Sequence, residues 1–307
     1  MNEITATSID FIGDIHGHAT ELMNLLQKLG YTNTQGYYQH PSRKVFFCGD
    51  FIDRGPQIKQ VLELVKSMID NHTAFTVIGN HEYNAICYHT LVDNQPLREN
   101  SGHNKNQHER TIAALNKDEM HYYVEWFKTL PIYHNNGNFR IVHAQWKEEH
   151  INELQSLGIN NFSNIDFLKR TAQKHSKEFE LTECLLKGHE LHMPGIYFLD
   201  KGKKQRDSYR IKWWKQGLYA CKEALFEFPQ DNDAIMPHEL EGHTKNVPVF
   251  FGHYWLKNDE PVIQAANACC LDFSVANKGI LAAYQWDGEA ELKADKFVWV
   301  ESTTGEI

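Results

Sequence analysis

The 307-residue chain has no run of about 18 uninterrupted apolar residues, so no membrane-spanning helix is expected. Met1 to Ser8 lack a cationic start followed by an apolar stretch; no export signal is read, and a cytoplasmic location is expected. The six cysteines, Cys48, Cys87, Cys184, Cys221, Cys269 and Cys270, show neither paired zinc-site spacing nor the density of a secreted disulfide framework. Reduced, mostly buried thiols follow. Excess positive charge is missing too: 31 Lys and Arg against 40 Asp and Glu leave a formal net charge of −9. That balance weakens non-specific attraction to nucleic acid or an anionic membrane, and neither is expected as a partner. No internal repeat or low-complexity linker divides the chain.

What is present fits a globular protein: 41% of residues are hydrophobic and 12% aromatic. One domain over residues 1–307 is expected. The unusual count is eighteen histidines, and position must decide which of them matter.

Short apolar runs end repeatedly in polar motifs. Ile9–Ile12 precedes Gly13-Asp14, Val45–Cys48 precedes Gly49-Asp50, and Phe75–Ile78 precedes Gly79-Asn80; all three read as buried strands. Between the first two, Leu22, Leu25, Leu26 and Leu29 recur at helical spacing, with Gly30 as a stop. Between the second and third, Ile58, Val61, Leu62, Val65, Met68 and Ile69 mark another amphipathic helix. Asp14 to Asp50 spans 36 positions and Asp50 to Asn80 spans 30, the length of a strand-helix-strand crossover, so the strands should be parallel neighbours. Phe139–Val142 before His143 and Val247–Phe251 before Gly252-His253 repeat the pattern. Five strands thus deliver polar residues to one end, where ligands bind in open α/β sheets.

The stretch from about 147 to 237 is different, polar and aromatic, with Trp213-Trp214 and a basic run at Lys201 to Lys204. It reads as an insertion or substrate-facing cap. Leu281–Trp286 and Lys296–Glu301 read as antiparallel strands closing a second sheet.

Asp14 and His16 lie two apart, and a strand continuing through them would point both to one face. A carboxylate with an imidazole suits manganese, iron or zinc. Asp50 offers two oxygens that can reach two cations, and Asn80, His143 and His253 complete a second site. Two cations about 3.5–4 Å apart can hold a phosphoryl group and generate a bridging hydroxide for in-line displacement. Arg54, in Gly-Asp-Phe-Ile-Asp-Arg-Gly, presents a planar fork for two phosphate oxygens. His81, with Asp53 on one ring nitrogen, can give a proton to the departing oxygen. A lone histidine at a strand end is ordinarily a surface or hydrogen-bonded residue; three motifs in order, each after an apolar strand, are a different matter.

Gly-Asp-Ile-His-Gly, Gly-Asp-Phe-Ile-Asp-Arg-Gly and Gly-Asn-His-Glu resemble the calcineurin-like metallophosphoesterases, in the branch containing serine/threonine protein phosphatases and bacterial diadenosine tetraphosphatases. The resemblance implies a four-layer αββα sandwich of two mixed β-sheets flanked by helices, with a dinuclear metal site at the sheet edge. It assigns Asp14, His16 and Asp50 to one metal, and Asp50, Asn80, His143 and His253 to the other, with manganese expected and iron or zinc as alternatives. His81 with Asp53 takes the place of the family's acid pair, Arg54 that of its phosphate clamp, and Glu82 a structural one. Ala144-Gln145 stand where many eukaryotic protein phosphatases have two glycines, closer to the diadenosine tetraphosphatases.

The expected activity is hydrolysis of phosphomonoesters, on a phosphorylated protein or a small phosphorylated metabolite. Cleavage of a dinucleoside polyphosphate, as by a bis(5'-nucleosyl)-tetraphosphatase, is the alternative. A silent scaffold of this fold would have lost a ligand or the acid, and here every position is filled. Arg206 and Arg210 are candidates for a second phosphate-binding arginine, although solvated loop charges are the plainer reading. Trp213 and Trp214 suit an apolar anchor better than a base-stacking platform. His189 and His192 are taken as non-ligands, and His18 as a helix start.

Overall fold

Strand Ile9–Ile12 is buried along its whole length because both of its faces are covered, which is why it is apolar at nearly every position. In the computed structural model, which describes residues 8–98, 102–199, 205–243 and 245–303, it pairs in parallel with Lys44–Phe47, which pairs in parallel with Ala74–Thr76. Helix α1 (Ala19–Lys28) and helix α2 (Ile58–Asp70) are the crossovers. Leu22, Leu25 and Leu26 of α1, with Val61, Leu62 and Val65 of α2, pack in one apolar cluster with Ile12, Val45 and Phe47 of the strands. Gly30, at φ +88°, closes the first helix.

Ile280–Trp286 runs antiparallel beside Ile9–Ile12, and Phe297–Glu301 pairs with it in turn. These C-terminal strands therefore extend the first sheet rather than close a second one. The second sheet has the order Ala268–Cys270, Val249–Phe251, Arg140–Val142, Tyr133–Asn135, the first three mutually parallel. Phe11 and Phe46 from one sheet and Phe139, Ile141 and Phe250 from the other fill the space between them. The Phe11 and Phe250 rings stack with centroids 3.7 Å apart. The five motif-bearing strands are thus divided three and two between facing sheets, and their carboxyl ends meet at one edge.

Helix α3 (Asn80–His89) starts at that edge, followed by α4 (Gly102–Ala114) and α5 (Lys117–Thr129). The region from 147 to 237 is not uniform. Its first part forms α6 (Glu148–Ser156), α7 (Ile165–Thr171) and α8 (Lys177–Lys187), whose Leu154, Phe167 and Leu185 join the same apolar cluster as Val142 and Phe251 of the second sheet. Its second part is made of short ladders such as Glu190–His192 with Ser208–Arg210, around a small core of its own that includes Tyr209, Leu225 and Phe228. Lys201 to Lys204 lie outside the described residues. No helix among the described residues is long and apolar enough to cross a membrane.

Candidate metal centre

Asp14, His16, Asp50, Asn80, His81, His143 and His253 are brought together at the meeting edge, none more than 5% exposed. The strands deliver them through turns. His16, Asp50, Asp53, Arg54 and His253 have φ of +45°, +55°, +66°, +63° and +72°, a left-handed region that non-glycine residues adopt at a cost and that clusters at functional sites. The strand does not continue through Asp14 and His16: it ends at Ile12. His16 is placed by its N–H on the Asp50 carbonyl at 2.9 Å and by its ring Nδ1, 2.9 Å from the Ile52 carbonyl. A Cβ on Gly79 would overlap Asp50 Oδ1, and one on Gly252 would overlap Asp14 Oδ1, so backbone and carboxylate approach this closely only with glycine there.

Asp50 is the hub. Its Oδ2 stands 3.5 Å from His16 Nε2 and 3.4 Å from His143 Nε2, while Oδ1 accepts the His81 backbone N–H at 3.0 Å. The Nδ1 atoms of His16 and His143 face backbone carbonyls, the latter that of Cys48 at 2.7 Å. Both rings must donate there, which leaves the Nε2 lone pairs aimed inward, the tautomer a ligand needs. Asn80 Oδ1 lies 2.9 Å from His143 Nε2. Ligand atoms of His16, Asp50 and His81, and separately of Asp50, His143 and His253, fall within 4.8 Å of one another. Asp14 joins through Oδ2, which accepts the His253 N–H at 3.1 Å.

Three atoms here, Asp14 Oδ1, His16 Nε2 and His253 Nε2, are buried without a hydrogen-bond partner. Each such orphan costs about 1–3 kcal/mol, and three converging on one spot fit a centre built for cations. The charge balance agrees. Burial pushes the Asp14 carboxyl up, and the charges of Asp272 and Asp50 push it further. Burial opposes ionisation of Asp50 as well, but His143 and His81 hold it well below the usual carboxylate range. Burial, reinforced by Arg54 beside His16 and Arg210 beside His253, drives both imidazoles down and neutral, the form that ligates. His143 goes the other way: burial would lower it, but Asp50 raises it. Crowded carboxylates that draw a proton onto one imidazole while two others stay neutral are what a pair of divalent cations relieves.

His81 Nε2 looks toward the hub, 3.9 Å from Asp50 Oδ2, while its Nδ1 lies 2.6 Å from Asp53 Oδ2. Glu82 is spent on structure, accepting the N–H groups of Asp50, Phe51 and Gly79 at 2.9, 2.8 and 3.0 Å. His18 occupies the cap position of α1 but makes no side-chain cap bond; its Nδ1 turns to the carbonyls of Ile15 and His16. Trp213 and Trp214 are buried anchors against Phe251.

Beside the hub opens a cleft of about 310 Å³ lined by Arg54, Arg98, Lys187, Arg206 and Arg210. Arg98 and Lys187 share Glu183 at 2.8 and 2.9 Å. Arg210 is not a solvated loop charge: its side chain is 13% exposed, and its guanidinium lies 5.2 Å from the Trp255 ring centroid, with that of Arg54 at 5.6 Å from the same ring. Trp255, Asp272 and His108 were not legible as site residues. Trp255 had a signal in its place two residues after His253, and Asp272 in its Leu-Asp-Phe run; His108 had none among so many histidines.

Two facing mixed sheets whose parallel strand tips gather carboxylates and imidazoles define the metallophosphoesterase architecture. The profile of the calcineurin-like phosphoesterase family matches residues 7–253, and the chain belongs to that family, whose enzymes use divalent metal ions. It is 37% identical over 152 residues to an asymmetrical bis(5'-nucleosyl)-tetraphosphatase of Halalkalibacterium halodurans, covering 46% of this chain and 58% of that protein. With a second such protein, from Oceanobacillus iheyensis, the match is 32% identical and covers 44% of this chain and 54% of that one; the chain thus spans little more than half the length of these relatives. It is also 29% identical over 311 residues to a symmetrical bis(5'-nucleosyl)-tetraphosphatase of Buchnera aphidicola, covering 92% of this chain and 98% of that one. A protein serine/threonine phosphatase from Saccharomyces cerevisiae shares the fold at a TM-score of 0.56 and 15% identity, over 99% of this chain and 82% of that one.

Proposed function

We propose that this protein is a hydrolase that cleaves a phosphoanhydride of a dinucleoside polyphosphate, in preference to the phosphoprotein expected from the motifs alone. The carrying observation is the cleft: arginines at 54, 206 and 210 line it together beyond the hub, more positive charge than a single phosphoryl group requires and suited to a chain of them. Relatives named tetraphosphatases support the same reading. In this reading Asp14, His16 and Asp50 would hold one cation, and Asp50, Asn80, His143 and His253 the other. Manganese is the leading choice, with iron or zinc as alternatives. When bound, the cations would supply Lewis acidity toward phosphoryl oxygens and an acidified water.

The chain's own residues do the rest. Arg54 and Arg210, both braced against the Trp255 indole, grip phosphoryl oxygens on the substrate and keep the chain of phosphates in register. His81, its Nδ1 committed to Asp53, directs Nε2 at the reacting centre and gives its proton to the departing phosphate oxygen. The buried hub keeps bulk water from competing. We place the activity in the cytoplasm, where nucleotides are plentiful and the six thiols, all free and buried, stay reduced.

Manganese-loaded protein assayed on diadenosine tetraphosphate and on a panel of phosphopeptides tests this. Faster turnover of the dinucleotide is expected, and the products read its symmetry: ATP with AMP for asymmetric cleavage, two ADP for symmetric. Faster release of phosphate from the peptides would overturn the assignment.

A further inference from the structure

Asp53 serves two imidazoles, not one. Its Oδ2 lies 2.6 Å from His81 Nδ1, and its Oδ1 lies 2.9 Å from Nδ1 of His108, on α4. Thr111 Oγ, one turn on, donates to the same Oδ1 and accepts the Asp53 backbone N–H at 3.0 Å. His108 is itself directed from behind, its Nε2 lying 3.1 Å from His89 Nε2. Asp53, His81, His108 and Thr111 are all buried, so every one of these polar atoms needs its partner inside the protein.

The proton positions follow. Carboxylate oxygens only accept, so both histidines present Nδ1–H to Asp53. The Nε2 atoms of His108 and His89 share one proton, one ring donating and the other accepting; burial and the neighbouring His108 lower His89 to about 4, in keeping with a neutral His89 ring. With Oδ1 occupied by His108 and Thr111, the carboxylate cannot rotate. Its remaining oxygen is committed to His81 Nδ1, which leaves Nε2 as the one ring atom of His81 able to deliver a proton.

We propose that His108 is a positioning residue for the reaction. Supported by His89, it locks the Asp53 carboxylate so that His81 holds the tautomer and orientation required to protonate the leaving oxygen. Nothing in the sequence motifs assigns it this role, because α4 lies outside them, joined to the site only through space. The inference rests on the proposed hydrolytic reading, but on its proton transfer and not on the identity of its substrate.

Leaving-group chemistry tests it. Phenyl phosphate departs as a poor leaving group that needs a proton, and 4-nitrophenyl phosphate as one that scarcely does. In metal-loaded protein, His108→Ala is expected to lower kcat on phenyl phosphate by about 10–100-fold, as loss of an orienting partner does, and on 4-nitrophenyl phosphate by no more than about 3-fold, with KM and metal content unchanged. His108→Asn, whose side-chain amide falls near the place of Nδ1 and keeps a donor for Asp53, should recover most of the loss. Equal losses on both esters, or no loss on either, would overturn the proposal. Should His108→Ala fail to fold, His108→Leu, which fills the space without a donor, carries the same expectation. A second readout does not depend on turnover: the downfield imidazole proton on His81 Nδ1 in the NMR spectrum should broaden or move upfield in the His108 variants, and an unchanged resonance would also overturn the proposal. If the unmodified protein hydrolysed neither these esters nor diadenosine tetraphosphate, the hydrolytic reading would fail, while the imidazole spectrum would still decide the role of His108.

Discussion

The edge where the two sheets meet and the satellite region around Tyr209 and Leu225 both contribute to one cleft, yet they are built in opposite ways. At the edge, each polar residue follows a buried strand within a few positions, so the backbone that carries the chemistry is the backbone that forms the core. In the satellite, short ladders surround a small core, and Arg210 reaches the cleft from the end of one of them, against the same Trp255 ring that Arg54 meets. In the proposed reading, reactivity is tied to the fold's centre, whereas substrate grip is assembled from parts distant in sequence. Damage at the edge should therefore abolish turnover, and damage in the satellite should mainly change what is bound and how tightly.

Removing the hub should have the largest effect. Asp50→Asn takes away the carboxylate shared by both clusters, and a loss of turnover on the order of a thousandfold or more is expected, with metal content falling when measured by elemental analysis. Unchanged activity in that variant would break the comparison. Next comes His81→Ala, expected to slow turnover by about two to four orders of magnitude with both cations retained. Loss of metal instead would move His81, which stands close to Asp50, from acid to ligand.

Smaller effects belong to the satellite side. Arg210→Ala should forfeit a charge-assisted contact of about 1.5–3 kcal/mol, raising KM for the dinucleotide by about 10–100-fold while altering kcat little. Trp255→Ala should raise KM by only a few-fold, since a cation–π contact contributes about 0.5–1 kcal/mol, and Trp255→Phe should retain most of it. A larger fall in kcat than rise in KM for either variant would mean that grip and chemistry are not separable.

The least effect is expected far from the cleft and concerns pH. Burial of Asp287 would raise its carboxyl, but hydrogen bonds from Lys296 and Arg43 bring it down to about 2. A folded value below the ordinary 3.9 or so means that the ionised form stabilises the fold at higher pH, and that this contribution fades as pH falls from about 4 toward 2. With the side chain 39% exposed, the effect is modest. Asp287→Asn should flatten the acid limb of the melting-temperature profile slightly, and an unaltered limb would place the acid sensitivity elsewhere.

Legibility divides along the same line. The crossover helices, the parallel strands and the metal-ligating candidates could be read because a buried strand must be apolar and a strand-tip ligand follows it directly. The attachment of Ile280–Trp286 to the first sheet could not, since alternation fixes which face is buried but not which neighbour pairs with it. Likewise His16 enters the centre through a left-handed turn held by Asp50 and Ile52, contacts 34 and 36 positions away, where strand alternation offered a simpler but incorrect route. Arg210 could be named only as a candidate beside Arg206, and His108 not at all, for a related reason: their partners are chosen by packing, and no local pattern distinguishes them from surface charges.

The five left-handed residues around the hub have one further implication. Each holds its backbone off the common basins at about 1–3 kcal/mol, a cost met by the surrounding sheets and by the carbonyls that anchor the turns. In the proposed reading, ion capture would require no loop to freeze, so arrival would be as fast as the cleft admits a hydrated ion. Residence time, rather than uptake, becomes the quantity in which different metals distinguish themselves.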